Sequence, residues 1–338
     1  ILFFYAATHL LNHSLATFSI STADAAREYF IAFWRNPVAE IFLFASFALH
    51  ILLGIQAVLR RKSFKMTKRE WLQMTFPFVA LLALIPHVLT TAILSRMFAV
   101  TDNYELIFAA TLVDPSKASK NVIFFSLMVV LIWTHGVIGI HGLLKTKPLY
   151  ARLRQTIIGF YWAVPTLALV GFFSGLKEMS FITYAHSQLH EDSYMMTLLM
   201  KAIPQEAFPV AMMIEMMTMS YYPLALLAIV FLAIGNVVRS KYFGRITVSY
   251  PNGKTVKVAG GTTILEASRI GGIPHQSVCG GKGRCTTCRV RIISSDGQLP
   301  SPNAHEIKAI ERVGIDDNMR LAFQLRPKQN LSVAPLLN

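Results

Sequence analysis

Three cysteines fall within ten residues of one another: Cys279, Cys285 and Cys288, spaced C-x5-C-x2-C, with Gly280, Gly281 and Gly283 between them. A disulfide framework spreads its cysteines along a chain, whereas clustering points to a metal site. Iron–sulfur clusters take thiolates from loops whose glycines allow tight curvature and turn backbone N–H groups toward sulfur. A zinc knuckle also uses C-x2-C, but the elements flanking this loop favour the cluster. A second group of residues suited to redox chemistry is formed by histidines inside apolar runs: His9 and His13, His50, His87, and His135 with His141. Ionisable side chains at membrane depth are costly and mark functional positions. One such histidine is commonly an interhelical hydrogen bond. Four consecutive runs that each carry one favour bis-histidine haem over polar glue or a proton relay.

The elements that must position these residues follow from the hydropathy pattern. The 338-residue chain is 54% hydrophobic and only 15% charged, and the imbalance is confined to its first 240 residues. Crossing ~30 Å of hydrocarbon takes roughly 20 apolar residues. Six runs qualify, at approximately 1–20, 38–59, 72–95, 121–144, 156–176 and 221–238. The first residue is Ile within an apolar run, as expected of a fragment that lacks its N-terminus.

The loops RRKSFKMTKRE, KTKPLYARLR and RSKYFGR hold six, four and three Lys/Arg, while the alternate loops carry most of the acids, including Asp102, Glu105, Asp114 and Glu206. By the positive-inside rule both chain ends face the cytoplasm. This pattern also accounts for the net charge of +14 without nucleic acid, which is not an expected partner. Residues 21–37 are expected to form a short surface helix. Residues 177–220, Met-rich and interrupted by Pro204 and Pro209, are expected to form amphipathic helices over the outer face.

Alternating helix direction sorts the histidines by depth. His13 and His87 lie about seven and eight residues from the outer ends of their runs, and His50 and His135 about twelve and fourteen. The spacing therefore predicts an outer haem between the first and third runs and an inner haem between the second and fourth, roughly 8 Å apart in depth. His9 is one turn from His13, so either can be the outer ligand. His141 is a candidate for a propionate contact or for snorkelling. Arg60, Arg61 and Arg96 read better as interface anchors than as propionate partners. His186 and His190, with Glu191 and Asp192, have i, i+4 spacing but read better as a solvated helix face than as a metal site.

Beyond Arg245 the period changes. Ile246, Val248 and Tyr250 alternate with polar residues, Pro251-Asn252-Gly253 makes a turn, and Thr255–Val258 resumes alternation, which gives a hairpin. A Thr-capped helix stopped by Gly271-Gly272 follows, then the cysteine loop, a strand over 289–293 and a helix over 303–313.

Residues 246–335 resemble the adrenodoxin-type 2Fe–2S ferredoxins, a β-grasp family, with CGGKGRCTTC as the cluster loop. That family carries a fourth cysteine in a segment similar to MRLAFQLRP, where this chain has Phe323. The upstream motifs ATHLLNH, ALHILLG, IPHVLTT and WTHGVIGIH resemble the succinate dehydrogenase/fumarate reductase type of di-haem cytochrome b. The combination, with the ending QLRPKQNLSVAPLL, is similar to the regulatory region of bacterial membrane-anchored class III adenylate cyclases. The expected architecture is thus a membrane all-α six-helix bundle, cytochrome b-like, over residues 1–240, followed by an α+β β-grasp ferredoxin domain over 241–338. The resemblance implies two b-type haems, a 2Fe–2S cluster and a bacterial inner-membrane location, with the ferredoxin domain in the cytoplasm. It also implies a homodimer formed through an attached cyclase domain that makes cAMP and lies outside this sequence. Membrane lipid surrounds the spans, and quinone is a candidate partner. The other reading is a quinone-linked oxidoreductase serving a soluble partner.

Overall fold

The computed structural model describes residues 1–189, 193–242, 244–314, 316 and 318–336, with backbone alone at 305, 312 and 313. It divides into two compact units, Ile1–Gly54 with Trp71–Gly139 and Leu153–Ala228, and Ile55–Glu70 with Ile140–Arg152 and Ile229–Asn338.

The helical part runs α1 (Leu2–Ser14), α2 (Ile20–Trp34), α3 (Pro37–Leu59), α4 (Lys68–Phe98), α5 (Tyr104–Leu112), α6 (Pro115–Leu144), α7 (Pro148–Arg152), α8 (Arg154–Ser187), α9 (Tyr194–Ala202) and α10 (Ala207–Tyr242). Among the described residues five helices are long and apolar enough to cross a membrane: α3, α4, α6, α8 and α10. Five of the six expected runs fall in these helices. The first run carries α1, which is followed by a 3-10 turn at Leu15–Thr17. None of the 23 residues of α3 is buried, although nearly all are apolar, so its face suits lipid rather than water.

The segment 177–220 agrees with expectation only in part: it holds one separate short helix, α9, while α8 continues to Ser187 and α10 already begins at Ala207. Pro209 falls in the first turn of α10, where a missing N–H leaves nothing unsatisfied, so it starts the helix rather than breaking it. The expected surface helix at 21–37 is α2, capped by Ser19, whose hydroxyl accepts from Thr22 N at 3.0 Å.

Close packing in the first unit depends on two glycines of α8. A Cβ on Gly171 would meet the carbonyl oxygen of His13 at 2.1 Å, and one on Gly175 would meet the Phe108 ring at 2.2 Å. The four-residue spacing puts both on one face, the small-xxx-small device that lets helix backbones approach within a bilayer. Since the atom over Gly171 is backbone, α1 has no side chain to move aside. Gly171→Ala should therefore displace α1 and lower stability by about 1–3 kcal/mol, measurable by thermal unfolding in detergent.

The second unit contains a five-stranded sheet built from β1 (Arg245–Ser249), β2 (Thr255–Ala259), β3 (Arg289–Ser295), β4 (Met319–Leu321) and β5 (Leu331–Pro335), in the order β2-β1-β5-β3-β4. The outer pairs are antiparallel, and β1 pairs with β5 in parallel. The β1–β2 turn places Gly253 at φ 73°. Helix α11 (Ile264–Gly271) begins with a capping box between Thr263 and Glu266 and ends on Gly272 at φ 63°. Its Ile264 and Leu265 pack with Val248, Val256, Val290, Leu325 and Val333 in one core. Helix α12 (Ala304–Val313) carries Glu306, 1% exposed. Its carboxylate accepts from Arg320 Nε and Nη2, both at 2.9 Å, and from Leu321 N at 2.8 Å. Removing that carboxylate strands a buried guanidinium, so Glu306→Ala should cost about 3–5 kcal/mol in a denaturant titration followed at this domain.

Candidate metal centres

The cysteine loop lies between α11 and β3. Gly280, Gly281 and Gly283 adopt φ of 71°, 83° and 68°, a left-handed run that other residues resist. The result is a loop whose N–H groups face sulfur. Burial pushes the Cys279 thiol up, but backbone N–H groups of Arg284, Lys282 and Cys285, with the Cys285 side chain, outweigh it and bring it down to about 7. Cys285 Sγ accepts from Cys279 N at 3.4 Å and lies 3.1 Å from Thr287 Oγ1. Cys288 is buried, which pushes its thiol up to about 11 even though the Phe323 N–H points at its sulfur.

Phe323 occupies the remaining side of the loop. Its Cβ lies 3.4 Å from where a Cβ of Gly281 would stand, and its ring Cζ lies 3.3 Å from the same point on Gly283. The bond from Ala322 N to the Cys288 carbonyl, 2.7 Å, and that from Leu265 N to the Ala322 carbonyl, 3.0 Å, hold the segment there. Position 323 thus projects at the cysteine loop and presents a ring without a donor atom. Among the described residues no three His, Cys, Asp or Glu side chains gather around one ion. A binuclear cluster does not ask for that, since each iron takes two protein ligands. The donors present fit a 2Fe–2S cluster at three of its four protein positions.

The intramembrane histidines fall into two sets. His50 and His135, on α3 and α6, have ring centroids 5.8 Å apart and Nε2 atoms 3.5 Å apart. His135 Nδ1 lies 3.0 Å from the Gln73 carbonyl of α4. A carbonyl only accepts, so this bond fixes the Nδ1–H tautomer and leaves a lone pair on Nε2, facing His50. In the other set, His9 lies 6.2 Å from His87 by ring centroid, and its Nε2 is 3.1 Å from that of His13. His13 rests edge-on against Tyr104 at 5.2 Å. Two metal–nitrogen bonds of about 2 Å put facing Nε2 atoms roughly 4 Å apart. His50 and His135 are within about half an ångström of that spacing.

The remaining candidates are placed elsewhere. His141 Nδ1 is 2.6 Å from the Tyr150 hydroxyl. Arg96 pairs with Glu40 and lies over the Phe44 ring. His186 stacks on Tyr194 at 4.0 Å, while His190, Glu191 and Asp192 lie outside the described residues. Sequence reasoning missed His275, whose Nδ1 is 2.9 Å from Ser268 Oγ, itself 3.0 Å from the Tyr250 hydroxyl. Burial pushes this imidazole down to about 4, so it is neutral at pH 7. No spacing rule marks a lone histidine of this kind.

Comparison with known proteins bears on this loop. Residues 249–322 match the 2Fe–2S iron–sulfur cluster binding domain family. A 65-residue stretch is 37% identical to 2Fe-2S ferredoxin-5 of Aquifex aeolicus, covering 19% of this chain and 68% of that protein. One component of the Na(+)-translocating NADH-quinone reductase is 28% identical over 114 residues in Methylococcus capsulatus and 31% over 111 in a Marinomonas species. Those matches cover 33% and 32% of this chain but only 27% and 26% of the relatives' length. The crystal structure of an ISC-like 2Fe–2S ferredoxin from Pseudomonas putida is 28% identical, with a TM-score of 0.25, covering 28% of this chain and 96% of that one.

Proposed function

Because the chain belongs, through its C-terminal domain, to the 2Fe–2S ferredoxin family, we propose that it is a membrane electron-transfer module whose helices hold two b-type haems. The observation that carries the haem reading is the His135 tautomer. Its Nδ1–H is committed to the Gln73 carbonyl while its Nε2 faces His50 Nε2 at 3.5 Å, the arrangement that metal-ligating histidines share. His50 and His135 would hold the inner haem, and His87 with His9 or His13 the outer one. Cys279, Cys285 and Cys288 would hold the cluster. Haem and cluster alike supply one-electron exchange. The chain's own contributions are ligand orientation, a low-dielectric setting and N–H donors to sulfur.

The order of these parts supports a sensing role, in which the redox state of the module regulates an attached class III adenylate cyclase acting as a homodimer on the cytoplasmic side of a bacterial inner membrane. Supporting this are the basic loops at one end of the spans and the resemblance of the whole arrangement to such cyclases. The test is cAMP synthesis by the gene's full product, assayed under oxidising and reducing conditions. A rate that does not respond to redox state, in protein that retains its haem, would exclude this role.

The likeness to a component of NADH-quinone reductases favours a second reading, a quinone-linked oxidoreductase. Rapid quinol oxidation coupled to reduction of a soluble carrier would select it. Either role fails if purified protein shows no b-type absorbance.

A further inference from the structure

Within the second unit charged side chains join the cysteine loop and α11 to the ends of α4 and α6 and to the loop between α3 and α4. Arg284, between Gly283 and Cys285, donates to the Gly142 carbonyl of α6 at 2.7 Å. Lys282 Nζ and Arg69 Nη2 both come within 3.3 Å of where a Cβ of Gly142 would stand. Arg269 Nη1 donates to Glu70 Oε1 of α4 at 3.3 Å, and its Nη2 is 3.9 Å from the position of a Gly280 Cβ. Lys62 and Lys65, in the loop joining α3 to α4, donate to the carbonyls of Gly260 and Ile270, each at 2.6 Å.

We infer that these contacts form an electrostatic latch, which seats the cysteine-loop face of the ferredoxin domain on the adjoining ends of α4 and α6 and makes those helix ends, rather than a soluble protein, its docking partner. This deepens the electron-transfer reading by naming the partner, but the latch itself is a matter of contact and charge. Two features support reversibility. Arg269 and Glu70 are each about a third exposed, so solvent screens the pair. The contacts named here are made by charged side chains, which raised salt screens. A side chain at Gly142 would press on Lys282 and Arg69.

The experiment is amide hydrogen exchange of residues 280–287 in the full chain, in nanodiscs. Arg269→Glu, which sets a carboxylate against Glu70, should raise exchange of the loop several-fold, and Arg269→Lys should leave it within about twofold of the parent. Glu70 is left unmutated because its other oxygen accepts from Thr67 N at the start of α4. The unmodified chain gives the same test without a substitution, because raising ionic strength from about 0.1 M to about 1 M screens such contacts and should also raise loop exchange several-fold. Loop exchange indifferent to both salt and Arg269→Glu overturns the latch, and so does an Arg269→Lys chain as open as Arg269→Glu. Parent and variants are compared at matched iron and haem content, so a failed latch is distinguishable from a failed electron-transfer reading.

Discussion

His135→Ala should abolish one of two haems and leave the other in place, halving the b-type absorbance per chain. His135 is the residue through which three helices meet: α6 carries it, α3 offers His50 to its Nε2, and the α4 backbone holds its Nδ1 through Gln73. Loss of an outer-shell partner alone typically costs a metal site roughly ten- to a hundred-fold in affinity, so loss of the ligand itself should cost more. The reciprocal variant, His87→Ala, should remove the other haem and spare this one, since His87 lies with His9 and His13 rather than with His50. Haem extraction and difference spectra of both variants read the result. Loss of both haems in either variant, or of neither, contradicts the assignment of pairs.

The second large effect is expected at Phe323. Phe323→Cys should raise iron bound to the ferredoxin domain to about two atoms per chain and lengthen the survival of the cluster at least about tenfold, by placing a thiolate where the ring now meets Gly283. The change also has an opposite component. Phe323 packs against the domain core, so without metal the smaller side chain should lower stability by about 1–3 kcal/mol. Metal binding then returns more than this, because binding to an assembled site adds directly to folding free energy. Thermal unfolding of the domain with and without iron reconstitution therefore gives two shifts of opposite sign. A variant that is destabilised both with and without iron would show that position 323 does not face a cluster.

The C-terminal domain is largely legible in sequence because each of its elements carries a local signal. Thr263 and Glu266 announce a helix start, Gly271-Gly272 its end, Pro251-Asn252-Gly253 a hairpin, and the alternation of Ile246, Val248 and Tyr250 a strand with one buried face. The cysteine spacing marks the loop, and the gap at Phe323 follows from the resemblance. In the membrane part, apolar runs locate helices but not their ends. Nothing in a Met-rich segment distinguishes a helix lying on a membrane from the continuation of one that crosses it, so α8 and α10 extend well beyond the expected runs. The first apolar run continues to about residue 20 in hydropathy, whereas α1 ends at Ser14 and a 3-10 turn follows it. The Gly171 and Gly175 contacts and the Gln73–His135 bond join residues far apart in sequence, and no local pattern reports such partners.

Haem content of the purified chain tests the electron-transfer reading most directly. Protein prepared in detergent, with helicity and monodispersity confirmed, should yield about two non-covalently bound haems per chain with b-type bands that shift on reduction by dithionite. A well-folded chain that carries no haem would contradict it, and would reassign His50, His135, His9, His13 and His87 to hydrogen bonding between helices.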